Sequence, residues 1–322
     1  MSKLHVGILR GGPSSEYEVS LKTGAAVLKH LPDHYQAHDI FISKDGVWHR
    51  DGLEKSPERA LKHVDVVFNA LHGEFGEDGQ VQKILDRHGI PYTGSGALSS
   101  AIGMNKVLSK KAFEHYGVRT PYYAAIRKSD DRAEKTEYIF KHFMVPFVVK
   151  PASSGSSVGV TIVKNFGQFP AALDKAFEVG DTALVEEFIR GREATCGVVN
   201  HFRNQKTYPL LPVEIIPADT QEFFDYDAKY NGQSQEICPG NFSEEEKAEI
   251  QRLARLVHEA LNLRHYSRTD MMVTPGRGVY VLEVNTLPGL TPQSLVPQSL
   301  EAIGCSFKDF LDHLVRLALD RK

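Results

Sequence analysis

Hydrophobic positions fall in short blocks whose spacing alternates between that of a buried strand and that of a one-sided helix. His5-Val-Gly-Ile-Leu9 reads as a buried strand and Arg10-Gly-Gly-Pro-Ser-Ser15 as a tight turn. The next stretch predicts a helix with Leu21, Ala25 and Leu28 on one face. Asp65-Val-Val-Phe-Asn-Ala-Leu71 is a second near-continuous apolar run, as in a strand covered on both sides. Val81, Ile84, Leu85 and His88 mark another helix, stopped by Gly89 and Pro91. Strand, glycine-rich turn, helix, strand, helix predicts an open parallel α/β sheet, which binds ligands beyond the carboxyl ends of its strands.

After Gly94 the pattern changes. A helix over 105–116 carries Lys106 near its start, a strand follows over 121–126, and a helix over 133–143. Strands over 146–150 and 158–163 flank the loop Ala152-Ser-Ser-Gly-Ser-Ser157. Strands are expected over 183–189, 194–199 and 208–217; residues 218–242 then form a long aromatic-rich excursion, and loops of this length are usually functional lids or disordered, the aromatics weighing against disorder. Ser243-Glu-Glu-Glu246 is a capping box. The helix behind it turns Ile250, Leu253, Val257 and Leu261 inward. Two strands joined by Pro275-Gly-Arg-Gly278 predict a hairpin, and Ser306 caps a last helix burying Phe307, Phe310, Leu311, Leu314 and Leu317. The hairpin is thus expected to lie between two supporting helices.

Composition narrows the classes. The 322 residues suffice for two or three domains, and apolar and charged fractions of 41% and 25% are those of a globular protein. A net charge of −3 offers no general attraction to nucleic acid or an anionic membrane, and no apolar run is long enough to span a bilayer. The first residues enter a strand rather than a secretory h-region, and Cys196, Cys238 and Cys305 have no metal or disulfide spacing. A reducing cytoplasm is the expected location.

Candidate chemistry lies in the loops. Glu283 and Asn285, two apart on a strand, point to one side, and the hairpin brings Asp270 beside them. Three hard oxygen donors, two anionic, suit Mg²⁺, although a polar strand end capping its own loop has the same composition. The Ser/Gly loop is not a Walker A sequence, yet its N–H groups can fold over phosphates with Lys150 supplying charge; a solvated hairpin reads alike. Glu186 and Glu187 at a strand end fit an adenine amine and ribose hydroxyls, or a solvated edge. Glu16 and the loop 72–79 lie where α/β sheets bind ligands, although ordinary turns have the same composition. Gly94-Ser-Gly96-Ala-Leu-Ser99 lacks the third glycine and acidic partner of a dinucleotide site.

In their order these motifs resemble the ATP-grasp fold, and more closely the D-alanine–D-alanine ligase family, nearly end to end. The resemblance is carried by Gly11-Gly-Pro-Ser-Ser-Glu16, Leu71-His72-Gly-Glu-Phe-Gly-Glu-Asp-Gly79, Tyr92-Thr-Gly-Ser-Gly96, Lys150-Pro-Ala-Ser-Ser-Gly-Ser156-Ser, Tyr226-Asp-Ala-Lys229-Tyr230, Arg268-Thr-Asp270 and Glu283-Val-Asn285-Thr-Leu-Pro-Gly289 through Ser294-Leu-Val-Pro297. It implies an N-terminal α/β substrate-binding domain over 1–100, a central ATP-grasp lobe over 101–183 and a C-terminal lobe over 184–322 with the lid at 218–242.

The resemblance also implies an ADP-forming carboxylate–amine ligase of the cytoplasm, serving peptidoglycan synthesis and assembled as a homodimer. ATP would phosphorylate one D-alanine and the amine of a second would attack the acyl phosphate. Asp270, Glu283 and Asn285 would hold Mg²⁺, two ions, with Mn²⁺ as a substitute. Lys106, Lys150 and the Ser157 backbone would meet phosphates, Lys229 the γ-phosphate, Glu186, Glu187 and Ile189 the adenine, and Glu193 the ribose. Arg268 and the Gly289 N–H would stabilise the oxyanion. Glu16 would anchor the first ammonium and join Ser156 and Tyr230 in one hydrogen-bonded set. His72 would line the first-substrate pocket, and Ser294 and Leu295 would contact the second substrate. Tyr230 resembles the dipeptide-forming type; D-lactate or D-serine as acceptor is the alternative, and a non-catalytic nucleotide-binding protein the remote one. Ala152-Ser-Ser154, Ala194 and Thr269 depart from the family pattern without removing a ligand.

Overall fold

The computed structural model describes residues 3–153, 155, 158–217 and 235–320. β1 (Leu4–Gly11), buried over Val6–Leu9, pairs in parallel with β2 (Tyr35–Ile42) and β5 (Val66–Asn69). The hairpin partners β3 (Trp48–Arg50) and β4 (Leu53–Lys55) add antiparallel strands, because their connections are too short for a crossover. The sheet β4-β3-β2-β1-β5 is therefore mixed, not wholly parallel as expected. α1 (Tyr17–His30) buries Ser20, Thr23, Gly24, Ala26 and Val27, whereas the predicted Ala25 is exposed. Small residues set that face: a Cβ on Gly24 would lie 2.5 Å from the Cβ of Arg10.

After α2 (Pro57–Ala60), helices α3 (Gln80–Arg87), α4 (Ala97–Met104) and α5 (Lys106–His115) lead to the second sheet. The Asn105 side chain caps α5 by accepting from the N–H groups of Val107 and Leu108. The second sheet, β6-β9-β7-β8, is built from β6 (Tyr123–Arg127), β7 (Phe147–Pro151), β8 (Thr161–Val163) and β9 (Thr182–Glu187). α6 (Arg132–His142) and α7 (Phe169–Val179) supply Ile139, Leu173 and Ala176 to its core. The expected boundary between 183 and 184 falls inside β9, which pairs with β6 and β7 along its length.

The third sheet contains β10 (Arg192–Phe202), β11 (Gln205–Pro209), β12 (Val213–Ile216), β13 (Gln235–Ile237), β14 (Tyr266–Thr274) and β15 (Gly278–Asn285). The expected strand over 208–217 is interrupted at 210–212, where Pro212 has no N–H to donate. α8 (Glu244–Ala260) starts in the predicted capping box and packs Ile250, Leu253 and Val257 on this sheet. α9 (Leu295–Ala302) and α10 (Phe307–Leu319) complete the chain. α10 does not simply flank the hairpin: Phe310, Leu311, Leu314 and Val315 join Val6, Ile8, Val66 and Phe68 in one core, with Tyr266 of β14 against Phe310. Phe307 and Leu317, expected inside, are only partly covered. No helix among the described residues is long and apolar enough to cross a membrane.

Candidate active site

One face of the third sheet carries most of the chemistry. Partners directly opposite in antiparallel strands point the same way, and Thr195, Asp270 and Glu283 are such a row across β10, β14 and β15. Arg268 and Asn285 form the next row on the same face, and Met272, Glu193, Ile215 and Glu236 the row on the other side. A bulge after Asp270 places an extra residue, Leu282, in β15 beside Glu283.

The hairpin thus brings Asp270, Glu283 and Asn285 together as the spacing suggested. Arg268 grips Asp270 with two bonds, Nε to Oδ1 at 2.9 Å and Nη2 to Oδ2 at 3.0 Å. Thr195 Oγ1 donates to Asp270 Oδ1 at 2.6 Å. Burial opposes the Arg268 charge, but Asp270 outweighs it and the guanidinium pKa is raised. Lys106 Nζ lies 3.3 Å from Glu283 Oε2, and Asn285 Oδ1 accepts from the Leu287 N–H at 3.0 Å. Asp270 Oδ1 accepts two of these bonds, whereas Asp270 Oδ2 and Asn285 Oδ1 each accept one and keep a lone pair. Two carboxylates and an amide oxygen on one wall fit a hard divalent cation such as Mg²⁺.

This wall separates two cavities. The larger, about 560 Å³, is lined by Val148, Lys150, Glu186, Glu187, Phe188, Ile189, Glu193, Met272 and Leu282, an apolar slot with charged ends. The smaller, about 300 Å³, is polar and lined by Glu16, His72, Glu77, Arg268, Asn285, Gly289, Ser294 and Leu295. Both include Lys106, Gly155, Glu193, Ile215, Asp270 and Glu283. Two of the three candidate metal ligands, Asp270 and Glu283, therefore stand where the two meet, with Asn285 on the polar side.

In the polar cavity, ligand atoms of Glu16, His72 and Glu77 lie within 4.8 Å of one another. Glu77 Oε1 accepts from the Gly73 N–H at 2.9 Å and lies 3.6 Å from His72 Nδ1, while His72 Nε2 meets Thr23 Oγ1 at 2.9 Å. Burial pushes the Glu77 carboxyl up, His72 pulls against that, and Glu16 adds to the rise. Such a pair of carboxylates suits a cationic group. Gly155 closes over it, since a Cβ there would come 2.4 Å from Glu16 Oε1. At the far end, Ser294 Oγ accepts from the Thr291 N–H at 3.1 Å, and Gly289 packs against that hydroxyl. Glu236 lines the same cavity, its Oε2 held by the Gln298 amide at 2.9 Å.

At the apolar cavity, Lys150 Nζ lies 2.6 Å from Glu186 Oε2, and from behind, outside the cavity lining, Lys110 Nζ lies 2.6 Å from Glu186 Oε1. The carboxylate expected to meet adenine is thus already taken by two lysines. Burial opposes its ionisation, but the lysines prevail and hold it below the usual carboxylate range. Glu187 pairs with Arg277 at 2.9 Å. Ser156, Ser157, Lys229 and Tyr230 lie outside the described residues. Sequence reasoning missed Lys110, Glu77, Thr195 and Glu236. Lys110 alone carried a signal, its i, i+4 spacing from Lys106 on α5.

The sequence matches the family described as D-ala D-ala ligase C-terminus over residues 112–316, and that described as D-ala D-ala ligase N-terminus over residues 5–59 and 49–95. The D-alanine–D-alanine ligase of Syntrophobacter fumaroxidans is 40% identical over 320 residues, covering 99% of this chain and 98% of that protein. The crystal structure of D-alanine–D-alanine ligase from Bacillus anthracis superposes with a TM-score of 0.82 at 35% identity, over 98% of this chain and 97% of that one. That of the VanG D-Ala:D-Ser ligase from Enterococcus faecalis gives 0.86 at 30% identity, over 98% and 99%. With its two cavities meeting at a wall of acids and these likenesses running end to end, the chain belongs to the D-alanine–D-alanine ligase family and has its ATP-grasp fold.

Proposed function

We propose that the chain joins two D-alanines into D-alanyl-D-alanine with ATP, releasing ADP and phosphate, and so supplies peptidoglycan precursors. The observation that carries this reading is the meeting of an apolar slot and a polar cavity at Asp270 and Glu283. A nucleotide base and an amino acid need such different surroundings, and phosphoryl transfer needs their reactive ends together.

In the first step a carboxylate oxygen of D-alanine bonds to the γ-phosphorus and the bond to ADP breaks. In the second, the amine nitrogen of another D-alanine bonds to the acyl carbon, phosphate leaves, and the nitrogen loses a proton. Glu16, with Glu77 and His72, binds the first ammonium and fixes its carboxylate toward the junction. Lys106 and Lys150 offset phosphate charge, and the segment Glu187 to Ile189 lies along the adenine with Glu193 toward the ribose. Arg268 and the Gly289 N–H face the oxyanion of the second step, where one such donor is worth about 10²–10³ in rate. Ser294 and Leu295 face the acceptor. Asp270, Glu283 and Asn285 would hold Mg²⁺, two ions in this reading and replaceable by Mn²⁺, which when bound neutralises phosphate charge. Glu186 acts through Lys150 rather than on the base. Ser156, Ser157, Lys229 and Tyr230 keep their proposed roles from the resemblance alone. Three lobes, a cytoplasmic location and a homodimer complete the proposal.

The test is incubation with ATP, Mg²⁺ and D-alanine. D-alanyl-D-alanine with one ADP and one phosphate per dipeptide is expected; AMP and pyrophosphate, or hydrolysis independent of D-alanine, would refute it. D-serine as acceptor is the second reading, favoured by the likeness to the D-Ala:D-Ser ligase. Competition between D-alanine and D-serine decides between them by the product formed.

A further inference from the structure

Lys110 is a fully buried lysine, at 0% exposure, that lines neither cavity. A buried ammonium is costly unless paired, and this one is surrounded by partners. Its Nζ lies 2.6 Å from Glu186 Oε1, donates to Thr120 Oγ1 at 2.5 Å, and sits 5.5 Å from the centre of the Tyr123 ring. Tyr123 is the cross-strand partner of Glu186, so lysine, ring and carboxylate share one face of the second sheet. The other carboxylate oxygen faces Lys150, which lines the apolar cavity.

This arrangement has a consequence for Lys150. An anionic ligand in the cavity competes with Glu186 for the same Nζ. If Lys150 were its only partner, each shift of that ammonium toward the ligand would strand a buried carboxylate, which is strongly unfavourable. A second cation on the opposite oxygen removes that penalty. We propose that Lys110 is a positioning residue for nucleotide binding: by holding Glu186 from behind, it frees Lys150 to share its charge with a phosphate. The inference rests on the nucleotide reading of the apolar cavity, and it extends that reading to a residue which touches no ligand.

Titration calorimetry of the full chain with Mg·ADP tests it without requiring turnover. Lys110→Met should weaken binding at least tenfold, while Lys110→Arg retains most of it. In a Glu186→Gln background there is no buried carboxylate to satisfy, so adding Lys110→Met should change affinity less than twofold. That pattern of coupling separates a role through Glu186 from general damage to the fold. It also keeps the test valid if Lys110→Met alone fails to fold, because the double variant is compared with Glu186→Gln. Unchanged affinity in Lys110→Met, or an equal loss in both backgrounds, would overturn the inference while leaving the proposed ligase intact. A wild-type chain that does not bind Mg·ADP would overturn the nucleotide reading and this inference together.

Discussion

Glu283 shows how a single residue is defined by its surroundings. It stands opposite Asp270, within 3.3 Å of Lys106, at the border of both cavities. Glu283→Gln keeps its shape and removes the charge. Turnover should fall at least about 10²-fold, the upper end of what an outer-shell partner costs, with an unchanged far-UV circular dichroism spectrum; near-normal kinetics would refute the ligand role. Glu77 supports a prediction of pH dependence. Folding raises its pKa, so its contribution to stability is full below the ordinary glutamate range and is lost as pH rises through the raised value. Glu77→Gln should therefore be more stable than the wild type at neutral pH without substrate, and the difference should narrow in acid denaturation series. At this scale the motif residues were legible because strand periodicity puts Glu283 and Asn285 on one side whatever the fold. Lys110 offered only its spacing from Lys106, since its partner Glu186 is far away in sequence, and Glu77 gained its meaning only when folding buried it beside Glu16.

Among elements, the joint between α8 and β10 depends on a neutral histidine. His258 is buried on α8, with Nε2 donating to Asn200 Oδ1 at 3.1 Å and Nδ1 accepting from Ser267 Oγ at 2.7 Å. Burial lowers its pKa to about 4 from 6.5. Its neutral form is favoured in the folded state, so that stability is present above pH 6.5 and is lost as pH falls toward 4. The loss is on the order of 3 kcal/mol for this group. Urea unfolding across that interval should follow this slope, and His258→Gln should flatten it; an equal slope in both would argue against His258 as its source. Elements with strong caps and clean periodicity, such as α8 behind Ser243 and Glu246, were legible. α4, α7 and β2 to β4 were not, since short or half-exposed segments owe their form to packing. The face of α1 turned for the same reason, because small residues dock closest to the sheet.

The whole molecule places the slot proposed for the nucleotide between two sheets, with β7 and β9 on one side and β10, β12, β14 and β15 on the other. A ligand there bridges both. A non-hydrolysable ATP analogue with Mg²⁺ at a hundredfold excess over its Kd should stabilise the folded state by about 2.7 kcal/mol, read as a melting rise of several degrees. Chelating the metal should reduce the rise, and the absence of any shift would contradict the slot as the nucleotide site.

The linear sequence by itself determined the order of the motifs, the hairpin, the capped helices and the family, since these depend on spacing along one segment. Only the tertiary structure decided that α10 returns from the end of the chain to the core of the first sheet, that Glu186 faces two lysines rather than open space, and that Asp270 and Glu283 divide two cavities. Each of these depends on groups that separate elements bring together, and such contacts are selected by burial and charge pairing across the assembled fold rather than by local periodicity.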